Sequence, residues 1–282
     1  MTFRSFLSQS VAVVAGLALL AAFGPIPARA DTCGGPETPC VVADGSYHVV
    51  LPWEDGAPDG KRAALIFFHG WQQSGLLVMN NQALVDEVTS RNVVLIAPNG
   101  RNRTWAHVGS PSSARDDLAF TASVRADIIM RFGIDPDHIY VSGFSQGGSM
   151  AWDVACYQGT DYAAFLPVAG AFWRPLPDAC PSQATVRHIH GTSDTVVPMA
   201  GRPIGDNGQW HQGDVLLGVD RLLAANACSA DAFMSQTTDG LSCETWSACA
   251  AGTTIELCLH DGGHNFRADW VGDGLDWAFG QD

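Results

Sequence analysis

Short apolar runs alternate with longer stretches of mixed polarity along most of the chain. The short runs are rich in β-branched and aromatic residues and predict strands, whereas the longer stretches predict helices. The predicted strands are Tyr47–Leu51, Ala63–Phe68, Val93–Ile96, Ile139–Ser142, Phe165–Ala169, Val186–Ile189 and Thr254–Leu259. The predicted helices are Leu76–Thr89, Asp116–Phe132, Gln146–Cys156, Gly213–Asn226 and Ala268–Phe279. This alternation predicts an α/β fold with a mostly parallel central sheet and helices on both faces.

The N-terminal segment 1–30 has the pattern of a secretory signal peptide. Arg4 supplies the positive charge, residues 11–23 form an apolar run, and Ala28-Arg29-Ala30 offers small residues at a cleavage site. The alternative is an uncleaved anchor, but the apolar run is short for a membrane span. We therefore expect a secreted protein, extracellular or periplasmic, that begins near Asp31.

The remaining chain, 31–282, shows no internal repeat, low-complexity tract or long linker. Its length suits one catalytic domain with a large core. No long insertion lies between Phe165 and Val186, so we expect no large cap domain.

The formal net charge is −14, and loss of Arg4 and Arg29 with the signal peptide would leave about −16. Such an acidic surface repels nucleic acid and anionic membranes, so neither is an expected partner. The charge does not predict an oligomeric state.

All eight cysteines lie in the predicted mature chain. An even number in an exported protein favours four disulfides. The alternative is a metal site, but the sequence has no C-x-x-C pair and its spacings are irregular. We therefore expect no metal. Roughly a hundred pairings are possible, and a small loop between Cys33 and Cys40 is the simplest of them.

The candidate nucleophile is Ser145, in the sequence GFSQGG at 143–148. A short β-branched run, 138–142, precedes it, and a helical stretch, 149–152, follows it. A serine on a tight turn from strand to helix adopts strained backbone angles that expose its hydroxyl. The free N–H groups of the following helix can also stabilise an oxyanion.

Nine histidines are candidates for the base that this serine needs. His264 is the best of them because it lies in a Gly-rich loop, 260–264, directly after the last predicted strand. We expect His260 to end that strand. His48 and His138 lie in or beside other strands and are expected to be packing residues.

The candidate acid is Asp194, in the sequence HGTSDTVVP at 190–198, after the strand that ends at Ile189. Ser145, Asp194 and His264 then follow one another in the order of the α/β-hydrolase fold, each after a strand. Asp194 would hold the histidine in the correct tautomer. The alternatives are Asp161, Asp178 and Asp214, none of which follows a strand so directly.

An oxyanion hole needs two backbone donors, for which we select the N–H groups of Gln146 and Trp71. Gln146 follows the nucleophile, and Trp71 lies in the loop after an early strand. His69 is expected to brace that loop, and His190 to orient the acid loop. His188 points the same way as His190 if the strand alternates.

Four aromatic residues fall on loops expected at the active face, and they are the candidate substrate contacts: Trp71, Trp105, Trp173 and Phe266. Such rings can hold a phenolic acyl group, a sugar or a polyester segment. The alternative for Trp105 and Trp173 is that they anchor their loops.

Several motifs combine into a family resemblance. They are FHG at 68–70, APNG at 97–100 with Trp105, DDLAF at 116–120, the serine motif at 143–148 and HGTSD at 190–194. Together they resemble the secreted polyhydroxybutyrate depolymerase and feruloyl esterase group of the α/β-hydrolases, from about residue 47 to 264. The chain differs from many members in having Trp71 in place of a cysteine, and Asn265-Phe266-Arg267 after the histidine.

The resemblance implies an esterase that needs no metal or organic cofactor, with the triad on Ser145, Asp194 and His264. It also implies Cys228–Cys249 and Cys243–Cys258 bridges, which leaves Cys156 to pair with Cys180.

The expected function is extracellular hydrolysis of carboxylic esters through an acyl-enzyme. The expected substrates are feruloyl or acetyl esters of plant polysaccharide, or polyhydroxyalkanoate, so the partner is an ester that can be polymeric. One alternative is a secreted serine peptidase of the same fold. Another is a non-catalytic binding module, which would be expected to lack a triad residue.

Overall fold

The computed structural model describes Met1 and residues 33–52, 62–229 and 233–281. Apart from Met1, the predicted signal peptide lies outside the described residues. Contacts divide the chain into Met1–Asp31 and Thr32–Asp282, and every element below belongs to the second, compact unit. Within the described ranges, no helix has the length and apolar character needed to cross a membrane.

The described strands form one large sheet and a separate short ribbon. They are β1 (Gly35–Val42), β2 (Gly45–Val50), β3 (Ala63–Phe68), β4 (Val93–Pro98), β5 (Ile139–Phe144), β6 (Ala164–Val168), β7 (Val186–Gly191), β8 (Pro203–Ile204), β9 (Trp210–His211), β10 (Met234–Thr238), β11 (Leu241–Trp246) and β12 (Ile255–His260). The large sheet has the order β1-β2-β4-β3-β5-β6-β7-β12-β11-β10, and β8 pairs with β9. Its centre, from β4 to β12, is parallel, and antiparallel strands extend both edges. The predicted α/β fold is confirmed.

The helices cover both faces of this sheet. They are α1 (Gly75–Met79), α2 (Gln82–Thr89), α3 (Asp117–Phe132), α4 (Gln146–Gln158), α5 (Val215–Ala225) and α6 (Ala268–Phe279). Helices α3, α4 and α5 pack in one core cluster, and α1, α2 and α6 pack in another. Strand β3 contributes side chains to both core clusters. Ile66 and Phe68 pack in the first cluster, and Leu65 and Phe67 pack in the second.

One predicted helix, Leu76–Thr89, is wrong as a single element. The chain forms α1 and α2 there, separated at Asn80 and Asn81. The Asn81 side chain accepts a hydrogen bond from the Leu84 N–H, which begins a new helix. The apolar pattern continues across both helices and therefore concealed the break.

The sequence did not predict strands β1, β8, β9, β10 and β11. All five residues of β10 are exposed, so this edge strand has no apolar alternation. A usable signal was present in Asp239-Gly240, a pair that favours a tight hairpin turn. Both residues have positive φ, 51° and 79°, as the turn between β10 and β11 requires.

Four disulfides fasten the chain: Cys33–Cys40, Cys156–Cys180, Cys228–Cys249 and Cys243–Cys258. These are the pairings expected above. Within the described residues, Cys243, Glu256 and Cys258 form the one cluster with metal-ligand atoms in range. Both cysteines are in a disulfide and carry no thiolate, so the cluster does not suit a metal.

We expect the protein to contain no free thiol, because every cysteine is bridged. Each bridge typically stabilises a domain by about 2–4 kcal/mol, so reduction should lower the melting temperature strongly. Thiol titration in denaturant without reductant tests this, and the same titration after reduction is the control. Two or more reactive thiols before reduction would contradict the bridging.

Candidate active site

Ser145 lies on the turn between β5 and α4 with φ 59° and ψ −121°, a strained conformation for a residue with a side chain. The turn requires glycine on either side, because a Cβ atom at Gly147 would lie 1.9 Å from the Phe68 carbonyl oxygen. A Cβ at Gly143 would lie 2.4 Å from the carbonyl oxygen of Gly147. The turn therefore presents the serine hydroxyl at the carboxyl edge of the parallel strands.

His264 and Asp194 complete a line of hydrogen bonds from this hydroxyl. His264 Nε2 lies 2.8 Å from Ser145 Oγ, and His264 Nδ1 lies 2.6 Å from Asp194 Oδ2. The imidazole ring also packs against Phe144, with ring centroids 4.8 Å apart. Because the carboxylate can only accept, His264 carries its proton on Nδ1 and presents a basic Nε2 to the serine.

The carboxylate of Asp194 is fully buried and held from two sides. Its Oδ1 accepts hydrogen bonds from the N–H groups of Val196 and Val197, each at 2.8 Å, while Oδ2 accepts from His264. Burial raises its pKa, but the hydrogen bonds outweigh burial and lower the pKa below its ordinary value. The group therefore stays charged at mildly acidic pH.

The three alternative acids lie away from this line. Asp214 caps helix α5 by accepting a hydrogen bond from the Leu217 N–H. Asp161 ends a short 3₁₀ turn that precedes β6. Asp178 is exposed in the connection between β6 and β7. None of them contacts an imidazole in the described structure.

Two backbone N–H groups are available for an oxyanion. In the described residues, neither the Gln146 N–H nor the Trp71 N–H donates a hydrogen bond within the protein. Gln146 is the first residue of α4, where unsatisfied N–H groups and the helix dipole favour negative charge. The neighbours of Trp71 are engaged, since Gly70 donates to the Gln73 side chain and Gln72 to the Arg103 carbonyl.

Comparison with known proteins supports the same conclusion about the fold. The sequence profile of the phospholipase/carboxylesterase family matches residues 116–203. The acetyl xylan esterase from Aspergillus awamori superposes with a TM-score of 0.60 at 12% identity, covering 85% of this chain and 95% of that one. The Bacillus cereus carboxylesterase gives 0.54 at 14% identity, covering 84% and 95%. The chain has the α/β-hydrolase fold.

In sequence, the chain is similar to feruloyl esterases. Feruloyl esterase C of Emericella nidulans is 24% identical over 234 residues, 80% of this chain and 79% of that protein. Feruloyl esterase B of Piromyces equi is 25% identical over 240 residues, 79% of this chain but only 39% of that protein. This similarity supports the predicted resemblance to the feruloyl esterase group.

Trp105 was predicted as a substrate contact, and this is wrong, because the side chain is completely buried. Its indole Nε1 donates to the His69 carbonyl oxygen over 2.8 Å, and its ring packs on Phe68 with centroids 5.0 Å apart. The residue therefore holds the loop that carries the Trp71 N–H.

His69 braces the same loop from within. Its Nε2 accepts from the Gly100 N–H at 3.0 Å, and its Nδ1 lies 2.8 Å from the Gly70 carbonyl oxygen. Burial lowers its pKa to about 4, so the ring is neutral and Nδ1 donates.

Trp173 is also wrong as a substrate contact, since only 7% of it is exposed. Its ring stacks on His107 at 6.1 Å, and its backbone bridges to Gln212. His107 in turn contacts Asp153 at 2.7 Å. Trp173 therefore anchors its loop, which was the alternative reading of the sequence.

The other two predicted contacts lie at the surface. Trp71 is 65% exposed and borders a cleft of about 450 Å³ with Thr104, whose hydroxyl lies 2.7 Å from the Gln146 side-chain amide. Phe266 is half-buried and separates two further clefts of about 550 and 380 Å³. The larger of these is lined by His264 itself.

Proposed function

We propose that this α/β-hydrolase is a secreted serine esterase that uses Ser145 as nucleophile, His264 as general base and acid, and Asp194 as the orienting acid. The observation that carries the proposal is the hydrogen-bonded line from Ser145 Oγ through His264 to Asp194. Similarity to esterases supports a hydrolase that acts on esters. The four disulfides support an exported protein.

In the first half of the reaction, Ser145 Oγ attacks the ester carbonyl carbon while His264 Nε2 takes the hydroxyl proton. The N–H groups of Gln146 and Trp71 would stabilise the negative oxygen of the tetrahedral intermediate. When this intermediate collapses, the C–O bond to the alcohol breaks and His264 returns the proton to the leaving oxygen. An acyl-serine ester remains.

In the second half, a water molecule attacks the acyl carbon and gives its proton to His264. The acid product leaves, and the proton returns to Ser145 Oγ. Asp194 stays ionised throughout and stabilises the cationic imidazole in both steps. None of these steps requires a metal or an organic cofactor.

We propose feruloyl or acetyl esters of plant polysaccharide as the substrates, with polyhydroxyalkanoate as the alternative polyester. The names of the similar proteins favour the feruloyl ester. The exposed indole of Trp71, beside the proposed oxyanion donor, offers a flat surface for a phenolic ring. The cleft of about 550 Å³ that His264 lines is open at the surface, as a polymeric substrate needs.

A substrate panel tests the proposal: methyl ferulate, acetylated xylan and polyhydroxybutyrate, each with and without a serine-directed phosphonate. We expect hydrolysis of methyl ferulate or acetylated xylan that the phosphonate abolishes. Cleavage of a peptide substrate with no ester turnover would favour a peptidase. No turnover of any substrate, with a folded protein, would favour a binding module.

Replacement of Trp71 by alanine should keep the backbone donor and remove the aromatic surface. We expect kcat/KM for methyl ferulate to fall more than that for p-nitrophenyl acetate, by about 1–2 kcal/mol of transition-state stabilisation. Trp71→Phe is the matched control and should retain most of the selectivity. Equal losses on both esters in Trp71→Ala would assign selectivity to Phe266 or another residue.

A further inference from the structure

Three buried side chains behind the proposed acid, Asp194, form a continuous line of hydrogen bonds. We call it the Trp152–His188–His190 line. Trp152 Nε1–H donates to His188 Nδ1 over 3.2 Å, and His188 Nε2 lies 2.9 Å from His190 Nδ1. His190 Nε2 lies 2.7 Å from the Val197 carbonyl oxygen and 3.7 Å from Asp194 Oδ2. All three side chains are almost completely buried. The line therefore joins helix α4 to the acid loop without passing through the nucleophile.

Each neutral ring carries one proton, and the contacts of the two rings allow two arrangements of these protons. The Val197 carbonyl can only accept, so His190 donates from Nε2 and its Nδ1 must accept. His188 then donates from Nε2 and has a lone pair on Nδ1. This lone pair matches the indole N–H of Trp152. The same Nδ1, however, also lies 3.0 Å from the carbonyl oxygen of Pro167, which calls for a proton there.

The opposite arrangement has a proton on Nδ1 of both histidines. His188 would then donate to Pro167, and His190 to His188. The indole N–H and the Val197 carbonyl would lose their partners, and a lone pair of His190 would face Asp194 Oδ2. The first arrangement makes three hydrogen bonds, one of them from the indole N–H, and the second makes two. Without the indole N–H each arrangement would make two, so this group decides between them.

Because His188 and His190 are buried, the two arrangements differ in which ring nitrogen carries the proton and not in the charge of the rings. It lowers the pKa of His188 well below the ordinary value, and the neighbouring His190 lowers it further. Burial also lowers the pKa of His190, despite the opposing effect of its contact with Val197 and of Asp194. Both rings are therefore neutral at the pH at which a serine esterase works.

We propose that the indole N–H of Trp152 is a positioning group that selects the tautomer of His188 and, through it, that of His190. His190 thereby presents a proton to the acid loop. This proton holds the Val197 carbonyl, and the N–H of Val197 in turn donates to Asp194 Oδ1. The expected effect on catalysis rests on the proposed function, whereas the assignment of the tautomers does not.

The expected pH effect has a definite sign. The titratable and charged groups that face the line are Asp194, His264 and His260, with Asp261 and Arg267 along the cleft beside His264. In the second arrangement, the lone pair of His190 adds negative potential beside Asp194, which favours cationic His264. Loss of the indole N–H should therefore move the acid limb of the kcat/KM profile to higher pH.

The test compares Trp152→Phe with the wild type and with a matched control, Trp246→Phe. The control replaces another buried indole, which lies on β11, by a phenyl ring. Nitrogen NMR of histidine-labelled protein reads the tautomers directly. In the wild type we expect both histidines to be protonated on Nε2 alone. In Trp152→Phe we expect a mixture, a kcat for p-nitrophenyl acetate lower by about two- to tenfold, and the shifted acid limb. The control should show none of these changes.

A second pair of variants tests the other end of the line. His190→Leu removes the donor to Val197, whereas His190→Gln places an amide N–H near the position of Nε2. We expect His190→Leu to lose on the order of tenfold or more in kcat, with KM changed less, and His190→Gln to recover most of it. Equal loss in two folded variants would overturn the positioning role.

Protonated Nδ1 on His188 in the wild type would also overturn the proposal, as would unchanged tautomers in Trp152→Phe. If the wild type lacks esterase activity, the proposed function fails, but the NMR comparison still decides the tautomers. If the His190 variants do not fold, the Trp152→Phe spectra and pH profile give the answer.

Discussion

Replacement of Ser145 by alanine should reduce ester hydrolysis by about 10⁴-fold or more. Alanine removes the hydroxyl that lies 2.8 Å from His264 Nε2 and leaves the backbone donors in place. No acyl-enzyme can then form, and a serine-directed phosphonate should no longer label the protein. The melting temperature should stay near that of the wild type, because the substitution deletes one atom at a partly exposed site.

The matched control is Ser123→Ala in helix α3, where the exposed hydroxyl donates to the Ala119 carbonyl oxygen of the same helix. This variant should keep full activity and full phosphonate labelling. Activity of Ser145→Ala within tenfold of the wild type would exclude Ser145 as the nucleophile. Phosphonate labelling of another residue in Ser145→Ala would assign that residue as the nucleophile.

Replacement of Asp194 by asparagine should reduce kcat by about 10³- to 10⁴-fold while the fold is retained. The side-chain oxygen of asparagine can still accept from the N–H groups of Val196 and Val197. Its amide nitrogen then faces His264 Nδ1 as a donor, which moves the imidazole proton to Nε2. His264 would therefore present an N–H group to Ser145 and could not accept the hydroxyl proton.

Asp178→Asn is the matched control, because Asp178 is exposed and was an alternative acid in the sequence. It should keep kcat within about twofold of the wild type, as surface substitutions have small effects. Comparable losses in the two variants would remove the case for Asp194. A large loss in Asp178→Asn alone would require a different assignment of the acid.

The strands at the centre of the sheet were predictable because they are buried on both faces and read as continuous apolar runs. All six residues of β4 are buried, for example, and the prediction differs from the structure only at the strand end. Strand β10 could not be found in this way, because its side chains are exposed and its stability comes from pairing with β11. Apolar periodicity records burial and carries no information about backbone partners.

The candidate triad was predictable for a different reason. Each of its residues directly follows a parallel strand, and the carboxyl ends of parallel strands meet at one edge of the sheet. Strand order along the chain was therefore enough to bring Ser145, Asp194 and His264 together without any knowledge of distances. The substrate contacts lacked such a rule, and Trp105 and Trp173 are buried instead.

The sequence by itself determined the α/β class, the three residues of the candidate triad and the even set of cysteines. Each of these follows from local pattern or from position after a strand. Only the tertiary structure decided that Trp105 supports the loop of His69 and Trp71, that Asn81 interrupts a helical pattern, and that Trp152 faces His188. These outcomes depend on which side chains from distant segments share a buried contact, and a buried donor is stabilised only by the acceptor that packing places beside it.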